Sequence, residues 1–275
     1  MLMRLRTAGL LWASLFTLAG VVVLLGLGSW QMQRKAWKDG LVERVVARSK
    51  AAPIAVEDVA KRFATDNDIE YLRVTARGTF LHQHERFYYA PDQRLGPGYH
   101  VYTPLELGPG LGCTDYVLVN RGFVPEAFKS RDKRAAADAV PSGGVWTSEA
   151  GGTVVVGLVR LPERPGTFTP ANEPKTNLWF WRDLDGMAAA LAQSPQPLKR
   201  PACARGARPY PFFVDAAAEP ANSGGWPKGG TTHLVIPNRH LEYALTWYGL
   251  AATLIAVFAV FARGRLLASD RPSPQ

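Results

Sequence analysis

The sequence predicts an integral membrane protein in which two terminal transmembrane helices flank an α+β domain built mainly on an antiparallel sheet. Three observations predict it. Thr7 to Gln33 is uncharged and dominated by Leu, Val, Ala and Gly. Tyr243 to Ala262 repeats that character. Between them, from Tyr71 onward, apolar and polar residues alternate with a period of two. At about 1.5 Å per residue, either uncharged run spans a hydrocarbon core of about 30 Å. The chain therefore divides into a transmembrane helix over 8–30, an extracytoplasmic domain over 31–242, a second transmembrane helix over 243–262 and a cytoplasmic tail over 263–275.

The first run competes with a cleaved signal peptide, because Arg4 and Arg6 form a basic flank. Its apolar stretch is longer than a typical signal core, and Trp30-Gln31 stands where small residues would be needed for cleavage, so retention is favoured. Both chain ends then share one side of the membrane. Arg4, Arg6, Arg263, Arg265 and Arg271 favour that side being cytoplasmic, whereas Arg34, Lys35 and Lys38 on the loop flank oppose it. Short tails outweigh long translocated domains in this rule, which places the central domain outside the cytoplasm.

Beyond the first run, Trp37, Leu41, Val45 and Val46 keep a spacing close to 3.6, so the helix continues amphipathically, with Gly40 as a point of bending. "AAPIAVEDVAKRF" predicts a short helix after Pro53. "YLRVTARGTF", "RFYYAP", "YHVYTPLEL", "DYVLVNRGFVP", "TVVVGLVRL", "YPFFVD" and "THLVIP" are strands, separated by turns such as Gly96-Pro97-Gly98 and Gly108-Pro109-Gly110. In "VNRGFVP" a buried strand from Val117 to Val119 ends at an Asn-Arg-Gly turn, where Gly122 takes up a positive φ and Asn120 bonds nearby backbone; Arg121 either serves that turn or projects toward a partner. "RDLDGMAAALAQ" is a helix with Asp183 or Asp185 near its start as cap. "KSRDKRAAADAVPSGGVWTSEAGG" and "SPQPLKRPACARGARP" have the composition of exposed loops.

Eight Trp, nine Tyr and twelve Phe suffice for one ordinary core. The formal charge of +9 gathers beside the membrane runs, and no nucleic-acid motif accompanies it. Cys113 and Cys203 have no redox or copper-site spacing, and a single structural disulfide between them is left open. No nucleophile elbow, phosphate loop, zinc-protease helix or dinucleotide fingerprint occurs, so nothing demands catalysis. His82 and His84 have the spacing to touch one metal, yet no third ligand is evident, and a polar connection between two strands explains them more simply.

Trp30, Arg34, Trp37 and Leu41 follow one another at helical spacing along one stripe at the membrane boundary, where indoles sit among headgroups and Arg34 offers a fork to a phosphate, carboxylate or carbonyl. His240, Tyr243 and Trp247 share a face of the second helix at the matching boundary. An imidazole at that depth serves either as an interface residue or as a ligand for haem iron, with arginines available to propionates.

"GLGSWQMQRKAWKDGLVERV", "GYHVYTPLEL", "VLVNRGFVP" and "PNRHLEYALTWYGLA", in that order between two terminal membrane helices, resemble the SURF1 family of cytochrome oxidase assembly proteins over nearly the whole chain. The resemblance implies a bacterial plasma membrane or mitochondrial inner membrane protein, with its central domain periplasmic or in the intermembrane space. It further implies a role in biogenesis of the haem-copper oxidase catalytic subunit at the stage of haem a insertion, in company with other assembly factors and membrane lipid. By position, the family's recurrent residues fall on Trp30, Gln31, Arg34, Trp37 and Lys38, on Asn120, Arg121, Gly122 and Pro125, and on His240, Tyr243 and Trp247. The resemblance makes His240 the candidate haem ligand, with Arg34, Trp30, Trp37, Tyr243 and Trp247 around a transiently held haem a, and gives Gln31, Lys38, Asn120 and Arg121 to partner binding. A haem-free lipid- or protein-binding scaffold is the alternative. An extracytoplasmic sensor is the other, although the stretch after Ala262 is short for an output domain.

Overall fold

The computed structural model describes residues 10–92, 94–107, 114–134, 153–194, 208–219, 221–232 and 238–269. Among these, the elements run α1 (Leu11–Lys50), β1 (Ile54–Ala55), α2 (Val56–Phe63), β2 (Arg73–Phe80), β3 (Arg86–Tyr89), β4 (Gly98–Leu107), β5 (Thr114–Pro125), β6 (Thr153–Arg160), β7 (Leu178–Trp179), α3 (Leu184–Ala192), β8 (Arg208–Ala216) and α4 (His240–Ser269). Two compact units result, one drawn from Met1–Arg44 and Leu234–Gln275, the other from Val45–His233.

The first unit is built on α1 and α4, both long and apolar enough to cross a membrane. With no charge to solvate and every internal backbone group bonded along the helix, such segments satisfy themselves in hydrocarbon. Large apolar side chains stand outward along both, including Phe16, Val22, Leu245 and Val260. In water each would forfeit about 1.5–3 kcal/mol of burial, a loss that lipid removes. Helix α1 stays helical through Gly40.

The second unit is a closed barrel. Strands β2, β6, β8, β5 and β4 pair in that order, and β2 returns to β4 through Gly78↔Leu107 to Phe80↔Leu105. Strand β1 lies beside β2, while β3 and β7 extend the sheet from the first half of β4. The antiparallel sheet expected from alternation is in fact mixed, because β1 with β2, β5 with β8, and β3 with β7 run parallel. The physical reason lies in β5 and β8. Val117 and Val119, with Phe212 and Val214, enter one core, which α2 closes with Val56 and Val59. Tyr116, Leu118 and Phe213 enter a second core beneath α3, with Trp179, Met187 and Leu191. Strands buried on both faces are the ones that tolerate parallel pairing, reached here by a long connection through β6, β7 and α3.

Helix α2 forms, preceded by the short strand β1, which the sequence did not signal, and β7 was likewise unsignalled. Asp183 caps α3 by accepting the Gly186 N–H at 2.9 Å. His82 to His84 form a single 3-10 turn between β2 and β3. Strand β5 does not end at Val119 but runs on to Pro125, and the Asn-Arg-Gly element is a bulge within it, as the register shift between His100 and Tyr102 on β4 shows. Gly122 does take φ +126°, and the Asn120 side chain accepts its N–H at 3.0 Å. Arg134, expected in an exposed loop, is buried, and Arg208-Pro209 open β8 rather than ending a loop. Cys113, Cys203, the Gly108-Pro109-Gly110 turn and most of "THLVIP" lie outside the described residues.

Candidate functional site

In the first unit α1 and α4 pack antiparallel along a seam of small residues. A Cβ on Gly28 would stand 2.5 Å from the Tyr248 ring, and one on Gly20 would stand 3.0 Å from Leu254. Ala244 and Ala251 are buried on the α4 side, and the Ser29 hydroxyl lies 3.4 Å from that of Tyr248. Small side chains let two helix backbones approach where no hydrophobic force separates lipid from protein.

The seam turns polar at one end. The Gln31 side-chain oxygen lies 2.7 Å from His240 Nδ1. One turn further along α1, Lys35 pairs with Asp39 at 2.6 Å, and Asn238 donates to the same carboxylate at 2.8 Å. Asn238 also accepts the His240 N–H at 3.4 Å, serving one of the N–H groups left open where α4 begins. An amide oxygen only accepts, so an imidazole with a single ring proton carries it on Nδ1 here and leaves the Nε2 lone pair for another partner. The half-buried His240 is thereby held in one tautomer and one orientation from across the seam.

The remaining boundary residues fall elsewhere on the two helices. Trp30 and Trp37 are 52% and 56% exposed, and the Arg34 guanidinium lies over the Trp37 ring at 4.9 Å. Tyr243 is exposed on α4, whereas Trp247 and Lys38 are half-buried. The structure thus joins Gln31 to His240 and Arg34 to Trp37, while both tryptophans stand outward from the seam. The imidazole fits an iron ligand, since its orienting hydrogen bond is already made. The exposed indole and guanidinium stripe suits a flat anionic group, a headgroup or a protein surface.

Asn120 and Arg121, the other expected partner contacts, are 4% and 1% exposed. Asn120 donates to Asp215 at 3.1 Å. Arg121 reaches Glu85 at 3.2 Å and His82 Nδ1 at 3.0 Å, with its guanidinium over Phe80. Arg134 meets the same carboxylate at 2.5 Å. Burial alone would push the Glu85 carboxyl up, but His82 beside it and the two guanidiniums together hold it below its ordinary value. Burial, then the charge on Arg86, pushes His84 down. This cluster pins the turn after β2 to the bulge in β5 and to the segment after it, so Arg121 is spent inside the fold. Sequence reasoning missed Glu85 and Arg134 altogether, because one charged residue among many in "LHQHER" or "SRDKR" carries no mark of burial. The Gln31 to His240 pairing had one readable trace in the small residues Gly20, Gly28 and Ser29, which suit a close helix contact.

The model of the SURF1 family matches residues 18–252. A SURF1-like protein of Monosiga brevicollis is 33% identical over 94% of this chain and 89% of its own length. Surfeit locus protein 1 of Mus musculus is 34% identical over 86% of this chain and 72% of its own. The Homo sapiens protein of that name is 33% identical over 88% and 75%.

Proposed function

Because the chain belongs to the SURF1 family, we propose that it is a membrane-bound assembly factor, not an enzyme, for haem-copper cytochrome c oxidase, and that it handles haem a as cargo on the way to the catalytic subunit. The observation that carries the haem part of this reading is the 2.7 Å contact between Gln31 and His240, which presents Nε2 for ligation at the boundary end of an apolar helix pair. His240 would hold the iron. Gln31 would fix the ring and its tautomer. Arg34, beside the indoles of Trp30 and Trp37, would receive carboxylates at the rim, with Tyr243 and Trp247 on the facing helix.

Deleting the gene should remove the haem a signal from reduced-minus-oxidised membrane spectra while b and c haems persist; intact oxidase content would refute the assignment. His240→Ala should abolish haem a co-purification at equal protein level, and Arg34→Ala should weaken it. A wild-type haem spectrum from His240→Ala would instead support the second reading, a scaffold that binds lipid or the oxidase subunit, which the outward-standing Trp30 and Trp37 favour. The proposed location is the bacterial plasma membrane, or the inner membrane of a mitochondrion, with the central domain outside the cytoplasm. Alkaline phosphatase fused after Leu161 should then be active and fused after Arg265 inactive; the reverse pattern would invert this topology.

A further inference from the structure

We propose that the barrel carries a second site, a cleft that binds a small ligand with an oxyanion group, phosphate or carboxylate, on an apolar body. The cleft encloses about 530 Å³ and is walled by residues of β3, β4, β5, β6 and β8. That volume lies within the ~300–1,000 Å³ common for small-molecule sites. Its shape depends on the bulge in β5. Gly122, at φ +126°, lets the backbone of Lys228 approach so closely that a Cβ there would lie 1.9 Å from the Lys228 carbonyl oxygen. Phe123 and Lys228 then exchange backbone hydrogen bonds at 2.9 and 2.8 Å, which sets the Lys228 side chain on the rim.

The polar groups of the lining define the ligand. Three cations, Arg160, Arg182 and Lys228, face two carboxylates, Asp92 and Asp215. Both carboxylates are occupied by the protein itself. Asp92 accepts the N–H groups of Arg94 and Leu95, each at 2.8 Å. Asp215 accepts from Asn120 at 3.1 Å and from Thr232 at 2.7 Å. The cations keep donors in reserve. Lys228 lies over Trp226 at 4.8 Å and enters no ion pair among the described residues. Arg182 gives one nitrogen to Glu163 at 2.5 Å and its Nε to the Leu161 carbonyl oxygen at 3.4 Å, which leaves further N–H groups of its fork. Arg160 pairs through Nε with Glu70 at 3.3 Å, while its Nη1 stands 3.8 Å from Asp215, beyond hydrogen-bond reach. Burial pushes the Tyr88 phenol further up from its ordinary value, so its hydroxyl is a donor too. Donors in excess over open acceptors select an oxyanion over a cation. Tyr88 and Phe123 offer ring surface to the rest of the molecule.

This site shares no residue with the helix pair and does not rest on the function proposed above. The test uses the full chain in nanodiscs of phosphatidylcholine, titrated calorimetrically with inorganic phosphate and with citrate against chloride at constant ionic strength. At least one of the two should bind saturably. Lys228→Gln, a rim change, should weaken that binding about tenfold, as expected for one charge-assisted contact, without moving the melting point of the unliganded protein. Arg182→Gln should abolish binding, and Lys175→Gln, outside the cleft, should leave it unchanged. Phosphate binding that phosphatidylglycerol in the nanodisc competes away identifies a lipid headgroup as the source; binding that it leaves intact identifies a soluble ligand. Heats no larger than those of chloride for both probes, or equal affinity in Lys228→Gln, would overturn the proposal.

Discussion

Replacing Gln31 by Leu removes one acceptor and little volume, and it tests the step from helix packing to ligand presentation. The 2.7 Å contact is a neutral hydrogen bond between half-buried groups, worth about 0.5–1.5 kcal/mol net, and leaving its donor unpaired moves the cost toward ~1–3 kcal/mol. Side-chain hydrogen bonds between membrane helices average ~0.6 kcal/mol, so the helix pair itself should survive the change. The larger effect should fall on the ring. Without the amide oxygen, Nδ1 and Nε2 are no longer distinguished and the imidazole rotates, which for a ligand's orienting partner typically costs about 10–100-fold in metal affinity. Nitrogen NMR of histidine-labelled protein in nanodiscs should show a protonated Nδ1 in wild type and a mixture of tautomers in Gln31→Leu. Haem titration should show affinity at least about tenfold weaker, equivalent to ~1.4 kcal/mol. Gln31→Asn, one methylene shorter, should fall between. An unchanged tautomer ratio together with unchanged haem affinity would refute the argument that Gln31 orients His240.

Gly28→Val should separate the helices, because a Cβ there meets the Tyr248 ring at 2.5 Å; cysteine cross-linking between α1 and α4 should fall sharply, and undiminished cross-linking would contradict the packing. Glu85→Gln should destabilise the barrel by ~3–5 kcal/mol, since it leaves Arg121 and Arg134 buried around a neutral amide, whereas Arg121→Met keeps the Glu85–Arg134 pair matched and should cost clearly less. Denaturant unfolding reads that asymmetry, and equal losses would refute it. Acid should weaken the barrel in two stages. His84 binds its proton less readily folded than unfolded, so its contribution is intact above pH 6.5 and is lost as pH falls below that value. Glu85, also lowered, contributes fully above pH 4.5 and loses that contribution as pH drops through its folded value. Melting points followed downward from pH 8 should show both declines, and His84→Gln should remove only the first.

The sequence by itself determined the two terminal helices, most of the strands and the polar boundary where the candidate ligand sits. Charge-free runs and residue periods are local properties, and local properties survive without knowledge of the neighbours. It also carried the family motifs, in order and in register. Pairing was decided elsewhere. The direction of β5 against β8 depends on which faces are covered; the unbroken apolar runs "YVLV" and "FFV" recorded two-sided burial, but period-two reasoning took them as ordinary antiparallel strands. The Asn-Arg-Gly element shows the same limit. Its positive φ was legible from Gly122, yet whether the strand stopped or bulged depended on β4 and on the backbone of Lys228, over a hundred residues away. Gln31 meeting His240, Arg121 turning inward to Glu85, and three cations gathering at one cleft join residues that are distant along the chain. Only the packed tertiary structure selects such partners, because a side chain's hydrogen-bond partner is set by what the fold brings within 3 Å or so of it, and no residue carries that information in its own neighbourhood.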